Sequence, residues 1–172
     1  VVAAERLLFF SRYVEVEPTW LAEFWSALTK LRPTALLTVF GDPLEPGRRQ
    51  LFQTTLETHC PAVADQVTWL AYDATLMQAL YAQSACAIFP SRQTPLHEAK
   101  CSVRLATTLL HGVPVVASAV GEQTHYGAAG AAQLVPPAAT PVEFASAVAQ
   151  VLDAPNLRTD LRQRAQQHLL ET

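Results

Sequence analysis

The sequence predicts an α/β domain built on an open, doubly wound parallel sheet of about six strands, with helices on both faces. Three observations carry that reading. Short apolar runs alternate with longer amphipathic stretches almost from end to end, the order that lays helices on both faces of a parallel sheet. Half of the 172 residues are hydrophobic and only 16% are charged, against roughly 25% in an average soluble domain, so a core on each side of the sheet can be filled. The run 35–40 is continuously apolar apart from Thr38, as expected of a central strand buried on both faces rather than one.

Taken in order, residues 7–10 are a four-residue apolar run and the first strand candidate. Pro18 suits the first turn of a helix reaching to about Leu31, in which Leu21, Phe24, Trp25, Leu28 and Leu31 recur at helical spacing. Pro33 marks its end. The second strand, 35–40, is followed by Gly41 and by a loop at 42–47 that holds two prolines and a glycine. Residues 48–59 read as a helix with Leu51, Phe52, Thr55 and Leu56 inward, 67–71 as a strand and 74–82 as a helix. Residues 85–89 are a strand stopped by Pro90, and 91–99 are read as a polar loop. Residues 100–111 are read as a helix closed by Gly112, followed by strands at 113–118 and 133–135, the latter ended by Pro136-Pro137. Thr140 is an N-cap candidate with Pro141 at the first helical position of a helix to Leu152, and 156–170 form a last helix rich in Arg and Gln. Ligands of such sheets sit beyond the carboxyl ends of the strands. Here that edge holds Ser11 and Arg12, Gly41 and Asp42, Tyr72 and Asp73, residues 91–100 and residues 118–124.

Several function classes are disfavoured. Net charge is −3, from 12 Lys and Arg against 15 Asp and Glu, which leaves no basic excess for tracking a nucleic-acid backbone. No apolar run reaches the roughly 18 residues needed to span a bilayer. Cys60, Cys86 and Cys101 are widely spaced, form no C-x-x-C pair and read as core thiols in a reducing compartment. Neither the turn 10–15 nor the turn 41–47 has a G-x-G-x-x-G or a Walker Lys-Ser/Thr, which argues against a nicotinamide or flavin dehydrogenase. The five histidines are scattered without H-E-x-x-H, so no metal and no other cofactor is expected, and no G-x-S-x-G marks a hydrolase. The chain opens on Val-Val-Ala-Ala without a Met or a signal peptide, and is expected to be one domain of a longer protein.

The informative stretch is 89–127, FPSRQTPLHEAKCSVRLATTLLHGVPVVASAVGEQTHYG. A strand ends in Pro-Ser, a loop and helix follow, and then come Gly-Val-Pro-Val-Val-Ala-Ser and a Gly-Glu turn. This pattern resembles the C-terminal, donor-binding domain of the group 1 (family four) retaining glycosyltransferases, which pair two Rossmann-like domains in the GT-B fold. LLFFSR at 7–12, the strand ending at Gly41, the segment 67–81 and Leu-Val-Pro-Pro at 134–137 fall in that family's order. The resemblance covers about residues 6–165.

That resemblance implies the donor half of an enzyme of carbohydrate biosynthesis, a hexosyltransferase-like activity moving a sugar from a nucleotide diphosphate to an acceptor. The chain as a whole, 1–172, would be one nucleotide-sugar-binding domain. The acceptor site would lie on an N-terminal domain of the same parent chain, and the isolated chain would bind nucleotide without turnover. The setting implied is cytoplasmic, with the parent able to sit peripherally on the inner face of a membrane. By resemblance Arg12 and Lys100 are the catalytic candidates, gripping the diphosphate. Gly41, Tyr72, Ser91, His97, Glu98, Arg104 and Thr107 are the substrate-binding candidates. Lys100 is placed in the first turn of the 100–111 helix with Arg104 one turn on, where an anion would relieve their conflict with the helix dipole. Plainer roles compete: a surface ion pair with Glu15 or Glu17 for Arg12, a solvated helix end for Lys100, loop packing for Tyr72. The family's paired Glu positions are occupied by Ala99 (with Glu98 adjacent) and Thr107, and its Lys after the first-strand Arg is missing from Val14-Glu15-Val16-Glu17. Lys100-x-x-x-Arg104-Leu105 looks like the branch that replaces the first Glu. Two other readings stay open: a degenerate, non-catalytic nucleotide-binding or interaction module of the same fold, and half of a nucleotide-sugar epimerase.

Overall fold

A computed structural model describes residues 5–171; the four residues that open the chain, and the expectation drawn from them, lie outside it. Six strands form one wholly parallel sheet: β1 (Arg6–Phe10), β2 (Leu36–Phe40), β3 (Val67–Leu70), β4 (Cys86–Phe89), β5 (Val115–Ser118) and β6 (Gln133–Val135). Their order is β3-β2-β1-β4-β5-β6. The register aligns Phe10 with Phe40, Leu7 with Cys86, Phe40 with Leu70 and Ala117 with Leu134. The order reverses between β1 and β4, and the crevice at such a switch point is where open α/β sheets bind ligands.

The central strands separate two cores by alternation. Leu7 and Phe9 of β1 face α1 (Pro18–Leu31), α2 (Arg48–His59) and α7 (Pro141–Asp153), in a cluster with Phe24, Trp25, Phe52 and Phe144. Leu8 and Phe10 face α3 (Met77–Gln83), α5 (Val103–Leu110) and α8 (Pro155–Glu171), with Tyr81, Leu105, Leu109 and Ala165. This two-sided burial is what the low charge content anticipated. Trp25 is wholly buried, and its indole N–H donates to the Val63 carbonyl at 2.9 Å, so its polar atom is satisfied.

Helix ends follow the local chemistry. Thr140 accepts from the Glu143 amide at 3.2 Å while the Glu143 carboxylate accepts from the Thr140 amide at 2.7 Å, a reciprocal capping box with Pro141 at the first position. Thr140→Ala is expected to lower stability by about 1 kcal/mol, read as a fall in the chemical-denaturation midpoint with no change in slope. Gly112, just past α5, is left-handed at φ +74°, and a short helix, α6 (Glu122–Tyr126), follows β5.

Three expectations need correction around residues 91–103. The polar loop contains a short helix, α4 (Pro95–Ala99), started by Thr94, whose hydroxyl accepts from the His97 amide. The next helix begins at Val103, so Lys100 is extended (φ −75°, ψ 132°) between α4 and α5 and shares no helix with Arg104. Cys101, on the same connection, is exposed, whereas Cys60 and Cys86 are buried as expected. Burial pushes the Cys86 thiol up to about 12, which keeps it an unreactive core group. On either side of α3 the boundaries shift by a residue: β3 stops at Leu70, and a 3-10 turn at Ala74–Leu76 precedes the α-helix.

Candidate functional site

The carboxyl ends of β1 and β4 frame a narrow cleft of about 40 Å³, lined by Phe10, Glu15, Ser91, His97, Lys100 and Arg104 among others. A hollow of about 260 Å³ shares Phe10 and Arg104 with it and adds Arg12, Gly41, Asp42 and Tyr72. Three cations, Arg12, Lys100 and Arg104, thus meet at the switch point from two different segments. A larger hollow of about 520 Å³ lies against β6 and α7, but its lining carries Glu143 and no cation, which makes it the wrong place for an anion.

The β1–α1 turn is built around a carboxylate. Glu15 is 9% exposed. One of its oxygens accepts from the Ser11 hydroxyl at 2.8 Å and the Val14 amide at 3.1 Å, and the other from the Arg12 amide at 2.9 Å. Burial pulls its pKa upward, but the Arg12 amide, the Lys100 charge and the Ser11 hydroxyl outweigh that and hold it below the usual carboxylate range. The Arg12 side chain pairs with neither Glu15 nor Glu17 among the described residues; Glu17 pairs instead with Arg92 at 2.6 Å. The Arg12 Nε is buried and has no hydrogen-bond partner. A buried donor with no partner in the protein is unusual.

Lys100 Nζ lies 3.6 Å and Arg104 Nη1 3.7 Å from the same Glu15 oxygen. Burial lowers the Lys100 pKa against the opposing pull of Glu15, and burial likewise lowers that of Arg104. Arg104 also stacks over the Phe10 ring at 5.0 Å and donates to the Phe10 carbonyl at 3.3 Å, so its guanidinium is fixed at the mouth of β1. The N-terminus of α5 is partly spoken for: the Ser102 amide donates to Glu122 at 3.0 Å.

Gly41 lets the two halves of this edge close up. Its φ is +135°, and a Cβ there would stand 2.1 Å from the Ser11 carbonyl oxygen. Gly121 does the same for the other loop, where a Cβ would meet the Glu98 and His97 carbonyls at 2.6 and 2.9 Å. Arg49 reaches in from α2 to donate to the Gly41 carbonyl at 2.9 Å and lies 3.5 Å from Asp42.

The remaining candidates divide. Tyr72 is half exposed and lines the hollow, where it stacks on Phe10 with centroids 6.0 Å apart and packs at a tilt against Phe40 at 5.7 Å. The Ser91 amide is held by the Ser118 hydroxyl at 3.0 Å, which keeps the end of β4 against β5. His97 lines the cleft, but its ring bridges Thr94 Oγ1 at 2.6 Å and the Val14 carbonyl at 2.9 Å, so both nitrogens are engaged in tying α4 to the β1–α1 turn. Glu98 is exposed and Thr107 half-buried, and they line neither space; the Thr107 hydroxyl donates to the Val103 carbonyl at 2.8 Å. Arg49 is not singled out by the sequence, and Glu15 is read from it only as a surface ion-pair partner for Arg12; its buried setting at the end of β1 shows only once the turn is folded.

His97 makes a pH prediction. Burial, with the nearby Arg92 and Lys100 charges, lowers its pKa below 6.5 against the pull of the Val14 hydrogen bond. The unfolded chain then takes up the proton first, so the stabilisation is complete above about pH 6.5 and is lost as pH falls toward the folded-state value. The thermal midpoint is expected to drop between pH 7.5 and 5.5, and to drop less over that interval in His97→Asn.

The model of the family described as glycosyl transferases group 1 matches residues 4–154. None of the curated proteins matches the chain in sequence. Among solved structures, WaaG, a glycosyltransferase involved in lipopolysaccharide biosynthesis, superposes with a TM-score of 0.79 at 19% identity, over 100% of this chain and 44% of that one. The C-terminal domain of the group 1 protein LpcC from Francisella tularensis gives 0.77 at 14% identity, over 98% and 85%. Anabaena HepE, solved in complex with UDP and glucose, gives 0.77 at 20%, over 98% and 44%. Identities this low show a shared fold only, and the chain spans less than half the length of WaaG and HepE. With the family model spanning most of its length, the chain belongs to the group 1 glycosyl transferases.

Proposed function

We propose that this chain is the donor-binding half of a sugar transferase and that the diphosphate of a nucleotide sugar lies across the β1–β4 switch point. The observation that carries the reading is the convergence of Arg12, Lys100 and Arg104 there, with the Arg12 Nε buried and unpaired. Arg12, Lys100 and Arg104 outnumber the two carboxylates lining these spaces, Glu15 and Asp42, and leave the site net positive in an overall acidic chain.

When the bond between the sugar's anomeric carbon and the diphosphate oxygen breaks, the leaving diphosphate gains negative charge. Arg12 and Lys100 are placed to stabilise that developing charge, and groups already fixed by the fold do so without reorganising at the moment of reaction. Tyr72 offers a ring face for the base, and Gly41 keeps the backbone low enough for close approach. The acceptor would be presented by a second domain of the parent protein, consistent with the partial coverage of WaaG and HepE.

Calorimetric titration of the 172-residue chain with UDP, GDP and ADP tests the reading. Saturable binding of one of them is expected, and no heat or shift at millimolar concentration of all three would overturn it. One observation favours the non-catalytic module as a second reading: Thr107, at the position resembling the family's ribose-binding Glu, lines neither the cleft nor the hollow, and its hydroxyl donates to Val103. That reading predicts nucleotide binding by the full-length protein with no sugar transfer to any acceptor.

A further inference from the structure

The donor-site reading leaves one group at the switch point without a task. Glu15 carries its charge into a buried position, which is costly unless the charge is paired and hydrogen-bonded. Its pairing is unusually complete. Ser11 Oγ and the amides of Arg12 and Val14 fix the carboxylate to the end of β1. One oxygen then faces two cations that arrive from across the switch point, Lys100 at 3.6 Å and Arg104 at 3.7 Å. Among the described residues it is the only carboxylate within 4.0 Å of either. At those separations the contacts are ion pairs longer than a direct hydrogen bond, so donor capacity on both cations stays available to a ligand.

The three cations repel one another, and Lys100 and Arg104 are long side chains with rotamer freedom to lose. Something must hold them together before a ligand binds. The Phe10 ring and carbonyl restrain Arg104 from one side. For Lys100, on an extended connection between two helices, the Glu15 carboxylate is the ion-pair anchor.

We propose that Glu15 is a positioning residue, a buried carboxylate that holds Lys100 and Arg104 against the β1–α1 turn so that they and Arg12 meet the diphosphate as one preassembled set. The inference rests on the donor-site reading above. Its logic is preorganisation: ordering a long side chain at the moment of binding weakens association by roughly two- to tenfold, and Glu15 orders two of them beforehand. Simple electrostatics predicts the opposite sign, because removing a carboxylate beside an anion site would tighten anion binding.

Two arms test it on the 172-residue chain. Without ligand, the side-chain ammonium signal of Lys100, whose ion-pair anchor is Glu15, is followed by NMR relaxation in the wild type and in Glu15→Gln. Positioning predicts an ordered ammonium in the wild type and a mobile one in the variant; equal order in both overturns the proposal. With ligand, the nucleoside diphosphate that binds the wild type is titrated into Glu15→Gln, Lys100→Met and the double variant. The expected result is about tenfold weaker binding in Glu15→Gln and a much smaller further loss when the change is made in the Lys100→Met background, the coupling of groups that act together. Unchanged or tighter binding in Glu15→Gln, or losses that simply add, would mean that the carboxylate serves the fold alone. Should Glu15→Gln fail to fold, Glu15→Asp keeps the charge on a shorter stem and is read in the same way. If the wild type binds none of UDP, GDP or ADP, the donor-site reading falls, while the ligand-free arm still decides whether Glu15 orders the cations.

Discussion

Arg12→Ala is expected to weaken nucleoside diphosphate binding by roughly ten- to a hundredfold while leaving the fold intact. A hydrogen bond to a charged group contributes about 1.5–3 kcal/mol, and each 1.4 kcal/mol is a factor of ten in affinity. Arg12 stands out among the three cations because its Nε is buried and unpaired, so nothing in the free protein competes for it. Its backbone amide, which does hold Glu15 at 2.9 Å, survives the substitution. Lys100→Ala should fall in the same direction but less far, because the ammonium shares its charge with Glu15. Calorimetry on both variants, with thermal melts as the control for folding, gives the comparison. An Arg12→Ala protein that binds as well as the wild type would remove Arg12 from the site.

Gly41→Ala carries the other large effect, this time on stability. The new Cβ would be placed 2.1 Å from the Ser11 carbonyl oxygen and 3.2 Å from its carbon, both backbone atoms that no side-chain rotation can move. The residue would also be held at φ +135°, which L-residues rarely adopt. Strain and overpacking each cost of order 1–3 kcal/mol, so a loss of about 3 kcal/mol or more is expected, or a fall of about 6–12 °C in thermal midpoint for a chain of this size. Gly47 is the internal comparison. It has φ +77° with open space around its Cβ direction, so Gly47→Ala should show only the left-handed penalty of about 1–2 kcal/mol. Equal losses at the two positions would mean that the close approach of the Ser11 and Gly41 turns is not what Gly41 is needed for. Because Ser11 anchors Glu15, nucleotide affinity should also fall in Gly41→Ala and not in Gly47→Ala.

Much of the fold is readable because parallel strands buried on both faces advertise themselves. The run before Gly41 and Val-Pro-Val-Val-Ala-Ser before the β5 turn need no partner to be recognised. The site is less legible, and for physical reasons. Thr94-Pro95 is a helix start, but the five residues of α4 are too few for a periodic pattern, so α4 is hidden in a polar stretch and Lys100 is assigned to a helix although it lies between two. Local reading offers Glu15 only as a partner for Arg12, because its contacts with Lys100 and Arg104 come from some 85–90 residues away and are brought near only by the β1–β4 pairing. His97 and Thr107 show the converse. Both occupy positions that suggest ligand contact, yet the folded chain has already spent their hydrogen-bonding atoms on Thr94, Val14 and Val103.

The central claim is that the β1–β4 switch point receives a nucleoside diphosphate. The most direct measurement is amide chemical-shift mapping of the isotopically labelled chain titrated with UDP, GDP and ADP. The account predicts saturable shifts concentrated at residues 11–15, 41–42, 72 and 100–104. Shifts clustered instead at the β6–α7 hollow, around Gln133 and Glu143, or no saturable shifts with any of the three, would contradict it.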